Sequence, residues 1–207
     1  MADLLSQHMR TLLLAATTFA FVAPLSAQQS TTRGFVVGAH VGGASVKVEQ
    51  ADRANGGSGG ILVGYGLNRL ITLYAQFDGS TFDVSAQPDV EGTWQMAHAD
   101  LGVRFHFANS LRSFVPYLQA AISGRAVSVS NIPATSPLSG QDVSLTGSAL
   151  TFGGGLMLYA KRTVAFDLGV VFSGGEFTDI TVGNTTVSGL DADASSARYS
   201  IGGVWWP

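Results

Sequence analysis

Cysteine is absent from the 207 residues, which excludes a disulfide framework and all thiol chemistry. Charge is scarce as well. Asp, Glu, Lys and Arg together make 12% of the chain, about half the share of an ordinary soluble domain. Lysine occurs only at Lys47 and Lys161. A wet exterior needs more charge than this, so much of the surface is expected to face something other than water. Beyond residue 28 no apolar run reaches the ~20 residues of a membrane-spanning helix. A chain of this kind can cross a membrane only with strands, and these must close into a ring because lipid cannot satisfy an open edge. Glycine, by contrast, is abundant at 26 residues, but it follows no three-residue period, which excludes a collagen-like repeat.

The N-terminus has the order of a secretory signal. Arg10 precedes an apolar run over residues 11–23, and Leu25-Ser26-Ala27 then supplies small residues for cleavage. The expected organisation is a signal peptide over residues 1–27 and one β-barrel domain over 28–207, with the mature chain starting near Gln28. Asp3 is foreign to the basic start of a signal, which makes Met9 a candidate start of translation in place of Met1.

From Gly34 onward the pattern alternates every second residue, with no helical spacing. Runs bounded by glycine and polar clusters predict eight strands, over 34–48, 59–67, 70–82, 93–107, 113–129, 149–160, 164–176 and 194–206. The fold class is all-β, an eight-stranded antiparallel up-and-down transmembrane barrel. Connections at 68–69, 108–112 and 161–163 are short, and those at 49–58, 83–92, 130–148 and 179–193 are long, in strict alternation. Outer-membrane barrels are built this way, with short periplasmic turns and longer outer loops. The long connections hold Glu49, Asp52, Asp83, Asp89, Glu91, Asp142, Asp179, Asp191 and Asp193 against one base, Arg53. The short ones hold Arg69, Arg112, Lys161 and Arg162 and no acid.

Composition decides which face is which. In the fourth strand Leu101, Val103 and Phe105 alternate with His98, Asp100, Arg104 and His106. Turned outward, the second set would be a poor soluble surface. Turned inward, small and polar residues suit the narrow interior of an eight-stranded barrel. The inward set then carries Asp78, Asp100 and Asp167 against Arg104, Arg125 and Arg198, with His40, His98 and His106 beside them. A lumenal charge network of these six residues is expected. Aromatics near the strand ends, among them Phe35, Phe82, Trp94, Phe177, Trp205 and Trp206, read as interfacial rings at two levels.

Several segments resemble the OmpA/OmpX-type outer-membrane β-barrel family over essentially the whole mature length. They are Phe152-Gly153-Gly154-Gly155-Leu156-Met157-Leu158-Tyr159, then Lys161-Arg162, then Val164-Ala165-Phe166-Asp167-Leu168-Gly169, together with Val115-Pro116-Tyr117. The closing Tyr199-Ser200-Ile201-Gly202-Gly203-Val204-Trp205-Trp206 resembles the family's signal for the barrel-assembly machinery, although Pro207 stands where the family usually ends on an aromatic. The resemblance implies an outer-membrane location among lipid and lipopolysaccharide. It also implies a non-enzymatic role in envelope integrity or adhesin-like surface interaction, with outer loops as the place for surface ligands.

Two alternatives come from other classes. Eight-stranded barrels include lipid-modifying enzymes, for which His106 and Ser110 are the nearest candidates. They fail on placement, since a nucleophile needs its base within hydrogen-bond reach. A soluble, secreted lipocalin-like binding barrel is opposed by the low charge and the sorted loops. No catalytic, cofactor or metal residues are assigned. Asp191 with Asp193, and Asp89 with Glu91, lack the ordered ligand spacing of a calcium loop. An acidic surface repels nucleic acid.

Overall fold

The computed structural model describes residues 31–48, 53–84, 92–107, 113–130 and 143–207. The expected signal peptide, its cleavage site and the choice between Met1 and Met9 lie outside the described residues, as do Arg112 and the acids Glu49, Asp52, Asp89, Glu91 and Asp142. Eight strands follow in order: β1 Gly34–Val48, β2 Ala54–Gly66, β3 Ile71–Val84, β4 Gly92–His106, β5 Phe114–Ser130, β6 Val143–Lys161, β7 Val164–Val182 and β8 Thr185–Trp205. Each pairs antiparallel with the next, and β1 pairs with β8 from Val37↔Trp205 to Val48↔Ala194, so the sheet closes on itself.

Alternation places large apolar side chains outside. Phe35 is 68% exposed and Phe152 58%, and Ile61, Leu101, Ile122, Phe166 and Tyr199 share that surface. On β7 the outward apolar run spans residues 164–172 before giving way to Gly174 and Glu176. At ~3.3 Å per residue and a tilt near ~40°, such a run is about 20 Å tall, close to the apolar band of outer-membrane barrels. A soluble lipocalin-like barrel would have turned this set inward.

Inside, the barrel is layered. Val36, Leu62, Tyr74, Met157, Tyr159 and Trp206 fill the lumen beside the short turns. Val46, Phe82, Met96, Val127 and Phe177 fill it at the opposite end, with Trp94, Leu145 and Leu190 packed against them. Charged and polar residues occupy the level between. This corrects the reading of three of the aromatics as members of the interfacial rings. Phe82, Phe177 and Trp206 are lumenal, the last 1% exposed and stacked on Tyr159 with ring centroids 5.8 Å apart. Trp205, next to Trp206, holds its outward place at 51% exposed, and Phe35, Phe77, Phe105, Phe107, Phe114 and Phe172 share the membrane face with it. Consecutive residues on a strand must face opposite sides.

Residues 179–193 were expected to be a loop, yet β7 and β8 stay paired to Val182↔Thr185, with only Gly183-Asn184 as the turn. Gly183 has φ 58°, in the left-handed region where glycine carries no Cβ penalty. The threonines and valines of this stretch favour extended backbone, while its Asp and Gly content mimics a loop in sequence. Likewise β6 begins at Val143, within the expected loop 130–148, and β2 at Ala54.

Residues 31–33 run under the short-turn end. Thr31 N donates to Arg162 O at 3.0 Å, Tyr159 Oη donates to Thr31 O at 2.7 Å, and Thr32 Oγ1 donates to Arg69 O at 2.9 Å. The segment thereby ties the β2–β3 turn to the β6–β7 turn.

The opposed orientation of the two C-terminal tryptophans is testable. In vesicles of brominated lipid, Trp205→Phe is expected to abolish most of the quenching contributed by this end of the chain, and Trp206→Phe to leave it nearly unchanged. Equal losses would show that both rings face lipid.

Candidate functional site

The level between the two apolar layers is where sequence alternation concentrates charge, and each acid there lies on a different strand from its base. β1 supplies His40, β3 Gln76 and Asp78, β4 Asp100 and Arg104, β5 Tyr117, Gln119 and Arg125, β7 Asp167 and β8 Arg198. Five of the six expected network residues come together, in two clusters.

In the first, Arg198 donates through Nη1 to Asp78 Oδ2 and through Nη2 to Asp100 Oδ2, both at 2.7 Å. Asp78 also receives Gln76 Nε2 at 2.9 Å, and its Oδ1 lies 2.6 Å from His40 Nε2. Gly60 makes room for that contact, since a Cβ there would lie 2.9 Å from both His40 Nε2 and Asp78 Oδ1. In the second cluster Arg104 Nη1 donates to Asp167 Oδ2 at 2.9 Å, while Nε and Nη2 donate to Gln119 Oε1 at 3.1 and 2.9 Å. Tyr117 Oη donates to Asp167 Oδ1 at 2.7 Å, and its ring lies 3.9 Å below the Arg104 guanidinium carbon. A cavity of about 30 Å³ separates the clusters and is lined by both, room for about two waters.

Arg125 departs from the expected three-against-three balance. It forms no ion pair among the described residues, because Arg198 takes two carboxylates by itself. Instead Nη1 donates to Ala194 O at 3.1 Å and the guanidinium lies 4.5 Å over the Phe177 ring. Equal counts of acids and bases did not translate into equal pairs, because strand height decides which side chains meet.

Sequence reasoning did not single out Tyr117, Gln119 and Gln76 for the network, nor the hydroxyl ladder Ser123···Thr151···Ser173, whose oxygens are 2.6 and 2.7 Å apart. Lumenal parity on β3, β5, β6 and β7 was the signal available for them. The chemistry of the level is charge compensation and hydrogen bonding. His106, a candidate base, is fully buried against Thr72 at 3.1 Å, and Ser110 lies outside the described residues. Ser196 Oγ comes within 3.4 Å of His98 Nε2, but His98 Nδ1 has no carboxylate to orient it among the described residues.

A closed eight-stranded ring, apolar toward lipid and ion-paired within, defines the class of outer-membrane β-barrels. The chain belongs to the outer membrane protein beta-barrel domain family, whose model matches residues 12–202. Solved barrels superpose over nearly their whole length. Neisserial surface protein A is 19% identical with a TM-score of 0.63, the match covering 84% of this chain and 97% of that one. OprG from Pseudomonas aeruginosa is 13% identical at 0.56, covering 86% and 98%. Ail of Yersinia pestis is 12% identical at 0.51, covering 84% and 100%. At these identities the likeness is one of fold. None of the curated proteins matches the sequence. The apolar belt accordingly faces outer-membrane lipid.

Stability measurements test the weight of the clusters. Arg198→Met strands Asp78 and Asp100 without their guanidinium and is expected to cost about 3–5 kcal/mol in urea unfolding from detergent. Adding Asp78→Asn and Asp100→Asn is expected to restore most of it. A cost of Arg198→Met below ~1 kcal/mol, the range of exposed pairs, would mean that the lumen solvates these carboxylates.

Proposed function

We propose that this chain is a structural, non-enzymatic surface barrel that presents an acidic β-hairpin outside the cell for contact with other surfaces. The observation that carries the reading is the unequal height of the strands. β8 pairs with β1 only up to Ala194↔Val48, so among the described residues 185–193 pair with β7 alone and leave their other edge open. An open edge offers backbone donors and acceptors to an extended partner. The hairpin is acidic throughout: Glu176, Asp179, Asp191 and Asp193 lie there, with no Lys or Arg between Arg162 and Arg198. Glu176 stands opposite Asp193 on the outer face, an arrangement that destabilises the hairpin by itself and favours a cationic partner. Hydrogen bonds from Ser188 and Thr178 hold the Asp179 carboxyl below its ordinary pKa, so it stays charged at neutral pH.

A filled lumen supports a closed rather than a conducting barrel, and no nucleophile and base with an orienting acid support catalysis among the described residues. The structural neighbour Ail is the attachment invasion locus protein of Yersinia pestis, which is in keeping with an adhesin-like role for this chain. Delivery to the outer membrane requires export, and we infer that residues 1–27 form a leader removed before Gln28. The closing strand is read by the barrel-assembly machinery in this proposal, and lipopolysaccharide surrounds the outer rim.

The test is to trim the hairpin by joining residue 178 to 189 through Asn-Gly and to replace the remaining acids by their amides, Glu176→Gln, Asp191→Asn and Asp193→Asn. The trimmed protein is expected to keep the faster migration of unboiled barrel in SDS electrophoresis while cells displaying it lose most of their adherence to matrix-coated surfaces. Undiminished adherence would overturn the hairpin's role. A mass change in lipid A on expression of the full chain would establish the lipid-modifying alternative instead.

A further inference from the structure

Arg125 is 3% exposed, and its Nε and Nη2 have no hydrogen-bond partner among the described residues. Its other contacts define which part of the side chain is left over. Nη1 is taken by Ala194 O, and one face of the guanidinium is covered by Phe177. What remains is the Nε/Nη2 edge, where two N–H bonds lie parallel in one plane. That edge matches two oxygens of a single carboxylate, sulfate or phosphate group, side by side.

Neighbouring strands add hydrogen-bonding groups nearby. His98 on β4 lies directly opposite Arg125 on β5, and Asp78 on β3 lies opposite His98, which places Ser80 one inward position above. His98 and Ser80 are both buried, and His98 Nδ1 and Ser80 Oγ are likewise without partners. Ser196 engages His98 through Nε2, which leaves Nδ1 as the ring's remaining polar atom. Three adjacent strands thus bring a cation unpaired among the described residues and two further hydrogen-bonding groups close together in register, above the Arg198 cluster and beneath the apolar layer of Phe82, Met96, Val127 and Phe177. Burying a guanidinium without a counter-charge is costly, and the two carboxylates nearest in register, Asp78 and Asp100, each already give Oδ2 to Arg198, with only Asp100 Oδ1 left without a partner among the described residues.

We propose that Arg125, with His98 and Ser80, forms an oxyanion site in the outer half of the lumen, gripping two oxygens of a small carboxylate- or sulfate-type anion on the Nε/Nη2 edge. The apolar layer over it shields the pair from bulk water and strengthens the attraction. It also sets the two sources the anion can have: a free ion from solution, or the acidic head of an amphiphile whose tail joins Phe82 and Phe177. The site is independent of the hairpin reading, since it lies within the barrel.

The experiment uses the full chain folded in detergent, free of sulfate and phosphate, titrated with sodium formate against sodium chloride at equal ionic strength. Formate is expected to raise Tm by about 3 °C more than chloride, with saturation. The Arg125 Nε–H resonance, assigned by its loss in Arg125→Lys, is expected to move over the same concentration range. Arg125→Gln is expected to lose the formate-specific rise. If that variant fails to fold, the resonance titration on the unaltered chain decides alone. Repeating the titration with octanoate separates the sources: saturation at lower concentration than formate assigns the site to acyl carboxylates, and the reverse order to free ions. Equal effects of formate and chloride, or an Nε–H resonance that does not move, would overturn the proposal and leave water or a carboxylate of the chain itself on that edge.

Discussion

Pairing of β1 with β8 turns a twisted sheet into a ring and removes the last unpaired edge at membrane depth. Every other property follows from that closure. Eight strands fix an interior just wide enough to be filled by side chains, so what points inward must pack as tightly as a soluble core. What points outward is released from any need for polarity, because hydrocarbon is its solvent. The scarcity of charge in the sequence follows from the same constraint. A barrel of this size has little surface that meets water apart from its two rims.

The filled interior is a sandwich of apolar, ionic and apolar material. Buried ion pairs contribute little net stability compared with well-packed apolar groups, and breaking one is expensive. Their value here is selective. Asp78, Asp100 and Arg198 lie on three strands, and their bonds form only when those strands stand at the correct relative height. A slip of two residues along β8 would keep the alternation intact and the lipid belt apolar, but it would separate Arg198 from both carboxylates. The apolar layers add shape to this, with Trp206, Met157, Phe82 and Phe177 buried at fixed levels, but they carry no charge to be left unpaired by a slip.

Much of this was legible in the sequence. Period-two alternation gave the strand count, the faces of β3, β4, β5 and β7, and the bounds of β1 to the residue. It also identified the lumenal acids and bases, because charge on an otherwise apolar strand has only one tolerable direction to point. Three things were hidden, each for a physical reason. Beyond the hydrocarbon boundary both faces of a strand meet water, so alternation fades and the upper parts of β6, β7 and β8 resembled loops. Aromatics serve lipid interface and packed lumen equally well, so Phe82, Phe177 and Trp206 could not be assigned by residue type, although parity separates Trp206 from Trp205. The pairing partners depend on barrel curvature and stagger, which no local pattern encodes, and Arg125 was counted as paired for that reason.

The segment beneath the short-turn end has a consequence in time. Its contacts join residues far apart in sequence, Thr31 with Tyr159 and Thr32 with Arg69. Contacts between residues so far apart are slow to form, because closing the loop between them carries an entropic cost. These also require two turns on opposite sides of the ring to be in their final positions at once. The tail can therefore dock only after the seam between the first and last strands has closed. Its docking thus distinguishes a finished ring from one whose strands are still open.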